Sequence, residues 1–222
     1  MISIVIVNVD EQATITDAEI ANVAAALTRQ VQEHIAPNWN VTATVRAATA
    51  ASPALPGEWR AELRKVPTIE GALGFHDRQP DGTPIIYVFP ELCVQDGSSW
   101  SSCLSHEVVE ALVDPYLKTA AQDDTGKFYA VEAADQVEQD TYRIDGIEVS
   151  NFNTYENFYP MNTPGEVYDY LKLQTKPLEV RPGGYAQWYD PTKGWTQVLA
   201  DKLSIYRTTM NLLGLSRGAR RK

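Results

Sequence analysis

The sequence predicts an α+β protein, and three observations carry that reading. A dense β-branched run opens the chain (ISIVIVNV), a stretch with helical apolar spacing follows it, and two hairpin signatures fall in the second half. At 222 residues the chain suits one domain with an apolar core of its own and a modest appendage.

Each element has a local reason. The opening run has the density of a central strand. Thr16 or Asp17 can cap the next segment, and Glu19 falls in its first turn. Ile20, Val23, Ala24, Leu27, Val31 and Ile35 then line one helical face, and Pro37 is expected to end the helix. NVTATVRAATA alternates Val41, Ala43 and Val45 inward as a second strand. The proline-punctuated stretch 52–70 reads as a loop, or a short helix around EWRAELRK. GALGFHD and TPIIYVF flank the turn-rich RQPDG and form a strand pair. QDGSSWSSC offers N-caps for a helix carrying SHEVVEALVDP, which Pro115 ends. TYRIDGIEVSNF is a hairpin turning on Asp145-Gly146, and YAQWYDPTKGWTQVL a second one, preceded by Pro182-Gly183-Gly184. A final helix is expected from about Asp201 to Leu213, ahead of a basic tail containing Arg217, Arg220, Arg221 and Lys222.

Composition narrows the function classes. A net charge of −10 argues against a nucleic-acid partner, because phosphate binding needs a basic face. No apolar run reaches the ~18 residues of a membrane span. The opening MISIVIVNVD lacks a basic start and a small-residue cleavage site, so it reads as a strand and not a signal peptide. A cytoplasmic location follows, or a virion one for a phage-encoded chain. Cys93 and Cys103 read as free thiols.

The chemistry concentrates in SHEVVEALVDP. It begins like the zinc-peptidase signature H-E-x-x-H, with Glu110 in place of the second histidine. At about 100° per residue, Glu110 falls about 40°, Asp114 about 80° if the helix reaches it, and Glu107 about 100° from His106, while Leu104, Val108, Ala111 and Leu112 take the opposite side. An acidic helix face is commonly just a solvated one. Here, however, no lysine or arginine occurs from Trp100 to Leu117, so the crowded acids have no basic partner one turn away. A second acidic pair, Glu132 and Asp135 in VEAADQVE, has i,i+3 spacing. The pattern points to a metal held by His106, Glu110 and one of Glu132 or Asp135, with Glu107 as general base. The remaining acid of that pair can fix the His106 tautomer. One imidazole and two carboxylates cancel the charge of Zn²⁺ and weaken it as a Lewis acid; oxygen-rich ligation also suits Mn²⁺ or Ca²⁺.

LSHEVVEALVDP, EAADQVE, IDGIEVSNF, PGGYAQWYD and GWTQV together resemble a group of bacterial and phage-encoded zincin-like proteins of the HExxE type, over roughly residues 70–200. The resemblance implies a zincin-like mixed sheet, an active-site helix beneath it and an edge strand that binds extended peptide. It divides the chain into a zincin-like core at 1–160, a β-hairpin and helix extension at 161–215 and the tail at 216–222. It also implies a zinc peptidase acting on peptide or protein substrates, or a non-catalytic virion protein meeting neighbouring virion proteins. Tyr155 and Tyr159 are candidate donors to a tetrahedral oxyanion. His76 could reach the site from the edge strand as a second imidazole, but reads more readily as a turn-flanking surface histidine; His34 reads as a partner of its helix C-terminus, and Cys103 as an awkwardly placed alternative ligand.

Overall fold

The structure, a computed structural model, describes residues 1–10, 15–67, 69 and 71–200. The helix expected from Asp201 and the basic tail lie outside the described residues. The architecture is α+β, with a five-stranded mixed sheet, a four-stranded antiparallel sheet and a separate hairpin.

The first sheet contains β1 (Ile2–Asn8), β2 (Ala43–Ala47), β3 (Trp59–Leu63), β4 (Gly74–Arg78) and β5 (Pro84–Val88), in the order β2-β1-β3-β5-β4. Four strands are parallel, and β4 is antiparallel to β5 at one edge. Period-two alternation sets the faces. Ile4, Ile6, Ala61, Leu63, Ile86 and Val88 point into one core cluster. The opposite face carries Arg46–Glu58, Arg60–Glu62 and Arg64–Glu62 ion pairs.

EWRAELRK is therefore a strand between β1 and β5, not a loop or a short helix. Its residues are good helix formers, but Ala61 and Leu63 alternate with Arg60, Glu62 and Arg64. Burial of the first set against two neighbouring strands overrides local propensity.

Helix α1 (Asp17–Arg29) starts at Thr16, whose side chain and that of Glu19 form a reciprocal capping box. Pro37 does not end the helical segment. Residues Gln30–Ile35 widen into a π turn, in which the Ala36 amide reaches back to Val31 O, and α2 (Ala36–Trp39) adds a last turn containing Pro37. The wider turn accommodates a ring that lacks an N–H to donate. The segment stops at Asn40, which adopts a left-handed φ of 51°.

After the short α3 (Pro90–Gln95), α4 (Trp100–Val113) begins at Ser99, whose side chain accepts the Ser102 amide. Helices α1 and α4 join one core cluster with the inward residues of the sheet. Strands β6 (Ala120–Gln122) and β7 (Phe128–Ala130) lead to a 3-10 turn at Asp135–Val137. The hairpin of β8 (Thr141–Ile144) and β9 (Ile147–Ser150) turns at Asp145 (φ 51°) and Gly146 (φ 83°), the two positive values a tight two-residue turn demands. Past α5 (Tyr155–Phe158), β10 (Tyr185–Asp190) and β11 (Gly194–Leu199) complete the antiparallel sheet, where β10 pairs with β7. No helix among the described residues is long and apolar enough to cross a membrane.

Two devices hold the elements that matter most. The Ser105 hydroxyl donates to Gln30 Oε1 (2.8 Å) and accepts the Ser150 amide (3.0 Å), while Gln30 Nε2 donates to Ser150 O (2.9 Å). This buried polar knot ties α4 to β9 and to the π turn. The turn at 181–184 braces the 3-10 turn, since the Arg181 amide donates to Gln136 O at 2.9 Å. Gly184 must lack a side chain there, because a Cβ would stand 2.5 Å from Gln136 O and 2.9 Å from Asp135 O. Both obstacles are backbone and cannot rotate away. Gly184→Ala should therefore destabilise the protein by about 1–3 kcal/mol, seen as a lower midpoint in thermal or denaturant unfolding; an unchanged midpoint would mean that the turn does not brace the 3-10 segment.

Candidate metal centre

Helix α4 is largely buried, and its acidic face is not a solvated one. His106, Glu107 and Glu110 are 5%, 4% and 2% exposed, and Glu132 and Asp135 are buried equally well. The edge strand covers that face. His76 lies opposite Ile86 in the β4–β5 pair, so it shares the core face of the sheet and points toward α4. It is fully buried, which corrects its reading as a surface histidine. The turn-flanking location is real, but strand alternation, not proximity to a turn, decides which way a side chain faces.

The geometry centres on Glu110. Its Oε1 lies 3.3 Å from His106 Nε2 and accepts the Ala134 amide at 3.3 Å, and its Oε2 lies 3.7 Å from His76 Nδ1. His76 Nδ1 is also 3.5 Å from Glu107 Oε2. On the other side, Asp135 Oδ1 approaches His106 Nε2 to 3.3 Å. Glu107 reaches its place across Gly74, where a Cβ would come within 3.0 Å of Glu107 Cγ and of the Tyr87 carbonyl oxygen.

Glu132 and Asp135 come together with the helix, although they do not share a helical face. Glu132 lies in the irregular stretch after β7, and Asp135 opens the 3-10 turn. Three groups of potential ligand atoms each lie within 4.8 Å: His76, Glu110 and Glu132; His106, Asp135 and Glu138; and His106, Glu107 and Glu110. Bonds of about 2.0–2.2 Å set donors roughly 3.3–3.6 Å apart around a tetrahedral ion, so each group has only to draw in slightly to close on one. Each group can hold a metal ion. The sequence offered His76 as a ligand only behind its surface reading, and it did not single out Glu138. Glu138 stands one 3-10 turn beyond Asp135, so its i,i+3 spacing was visible.

The remaining candidates fall elsewhere. Asp114 accepts the amides of Lys118 (3.1 Å) and Thr119 (2.9 Å) and braces the loop after α4. Tyr155 is half-exposed and packs on Trp39 and Tyr159. His34 exchanges a hydrogen bond with Tyr142 OH at 2.8 Å and stacks on Tyr170, burial lowers its pKa, and it stands in the last turn of its helical segment. Cys93 and Cys103 are not joined in a disulfide. Cys103 lines a small cleft together with Gly74, His106, Glu107 and Glu138, whose volume of about 20 Å³ admits a single water.

Burial and charge shape the titration of the centre. For His106, burial acts to lower the pKa, but Glu110, Asp135 and Glu138 outweigh it and hold it well above the ordinary 6.5. For Glu110, burial and then the Asp135 charge raise the pKa well above 4.5, partly opposed by His106. In metal-free protein the two shifts act in the same direction. The unfolded chain releases the Glu110 proton near 4.5 and the His106 proton near 6.5, whereas the folded state keeps both to higher pH. Their contribution to stability is complete below those values and declines as pH rises through the folded pKa values. Thermal melts in chelator should show a midpoint that falls as pH rises above about 4.5; a midpoint that rises there would contradict the assignment.

Fold and site together define an α+β protein with a buried imidazole–carboxylate centre able to hold a metal ion. No protein-family model matches the chain, and no curated protein or solved structure is significantly similar to it.

Proposed function

We propose that the protein is a metal-dependent hydrolase of zincin-like type that cleaves peptide bonds. The observation carrying this reading is the convergence on His106 Nε2 of Glu110, one helical turn away, and Asp135, from a separate turn, both at 3.3 Å. His106, Glu110 and Asp135 would hold the ion, and Glu107 stands one residue after the first ligand, where a general base belongs. The mixed sheet supports the same reading, with an antiparallel edge strand running past the helix that bears the ligands.

The donor set fits a divalent cation. One imidazole and two carboxylates neutralise Zn²⁺, and the surplus of oxygen donors makes Mn²⁺ or Ca²⁺ a chemically reasonable occupant as well. When bound, such a cation polarises a scissile carbonyl and lowers the pKa of water. The chain's own residues do the rest. Glu107 lines the cleft beside His106 and takes the proton from the attacking water, then returns it to the leaving amine. The Ala134 amide, on Glu110 Oε1, holds that helix ligand in place. The open side of β4 can pair with an extended substrate.

A second reading is a non-catalytic protein on the same scaffold, such as a virion component that contacts its neighbours and keeps the ion for structure. It is favoured by the enclosure of the centre, since the adjoining cleft admits about one water.

Two measurements separate the readings. Protein purified without chelator should contain at least one metal ion per chain, lost in His106→Ala. Cleavage of an unfolded protein substrate should fall by roughly 10²-fold or more in Glu107→Gln with the metal retained. Equal cleavage by wild type and Glu107→Gln would remove Glu107 from the chemistry. Retained metal with no cleavage, together with sedimentation in particles, would establish the structural role.

A further inference from the structure

We propose that the centre holds two divalent cations, with a second ion bound by His76 and Glu132 and shared with the first through the Glu110 carboxylate. The proposal rests on the metal-binding role assigned to His106, Glu110 and Asp135 above and extends it from one ion to two. A single helix motif gives no reason to expect it, because His76 and Glu132 come from other parts of the chain.

Three observations carry the inference. First, two of the donor groups have no residue in common: His76, Glu110 and Glu132 form one, and His106, Asp135 and Glu138 the other. Each contributes one imidazole and two carboxylates within 4.8 Å. Second, Glu110 stands between them with its two oxygens turned to different rings, Oε1 to His106 at 3.3 Å and Oε2 to His76 at 3.7 Å. A carboxylate presented in this way can bind one ion through each oxygen. Third, the segment after β7 straddles the helix. Glu132 groups with the His76 side, and Asp135, three residues later, with the His106 side.

The donor chemistry agrees. Centres with two divalent ions commonly give each ion one imidazole and share carboxylates between the two, with the ions about 3.5–4 Å apart. A single ion uses three or four ligands of the set here; five carboxylates and two imidazoles are enough for two. The oxygen-rich set suits Mn²⁺ or Zn²⁺. Glu107 Oε2, 3.5 Å from His76 Nδ1, then faces both positions and links the second ion to the cleft where the first would act.

The test uses the full chain and Mn²⁺ as the probe. Native mass spectrometry of metal-free protein titrated with Mn²⁺ should reach two ions per chain, and electron paramagnetic resonance should show the exchange-coupled signal of a bridged pair. Glu132→Gln, which preserves shape, should lower the count from two to one and leave an isolated Mn²⁺ signal, with the folded circular dichroism spectrum kept. His76→Gln should do the same. If His76→Gln does not fold, the Glu132→Gln result decides by itself. One ion per chain in wild type, unchanged in Glu132→Gln, would overturn the second position and leave the function proposed above intact. Two ions retained in Glu132→Gln would overturn the assignment of Glu132 to the second position. No bound Mn²⁺ or Zn²⁺ in wild type would overturn both readings together.

Discussion

The placement of several carboxylates beside two imidazoles, away from water, is the constraint on which the rest of this structure depends. An isolated ionised carboxylate is strongly disfavoured in a medium of low polarity, and neighbouring ones disfavour each other further. The protein contends with this through proximity. Glu110 accepts a backbone amide and faces His106 and His76, and Asp135 faces His106 from the other side. A proton held on His106 balances part of the charge, and a cation would balance it more completely. Removing one carboxylate or one imidazole therefore alters the charge state of its neighbours as well as its own contacts.

The supporting architecture follows from that crowding. Helix α4 cannot present its acidic face to solvent because β4 and the segment 132–138 cover it, so its entry and exit are defined tightly. Ser99 caps the start, Asp114 braces the loop that leaves it, and Ser105 anchors the middle to Gln30 and Ser150. Small residues appear where backbone or a needed side chain comes close. Gly74 lets Glu107 cross the edge strand, and Gly184 lets the 181–184 turn sit on the carbonyls of Asp135 and Gln136.

Much of this was legible in the chain. The Asp-Gly dipeptide between alternating apolar residues defined a hairpin, and the i,i+4 relation of His106 and Glu110 followed from helical periodicity alone. The parts that were not legible have physical reasons. Strand β3 is built from residues that favour helix in isolation, and only its two neighbouring strands reverse that preference. Pro37 marks a helix end in most contexts, but a π turn upstream absorbs it. The direction in which His76 points depends on strand register, and register is a long-range property: His76 is opposite Ile86 only because the hairpin closes where it does. Glu132 and Asp135 have helical spacing in the sequence, yet they straddle Glu110 from an irregular segment that no periodicity describes.

The centre draws its groups from β4, from the middle of α4 and from the turn after β7, segments that meet only when the first sheet, its helices and the later turns have assembled. An unfolded or partly made chain has no preformed cluster to offer an ion, and contacts between such distant segments form late. Capture of a cation would thus be a final step of maturation, and an ion with no affinity for the unfolded chain would deepen the native well in proportion to the logarithm of its free concentration. Metal supply in the producing cell would then govern how long each finished molecule survives.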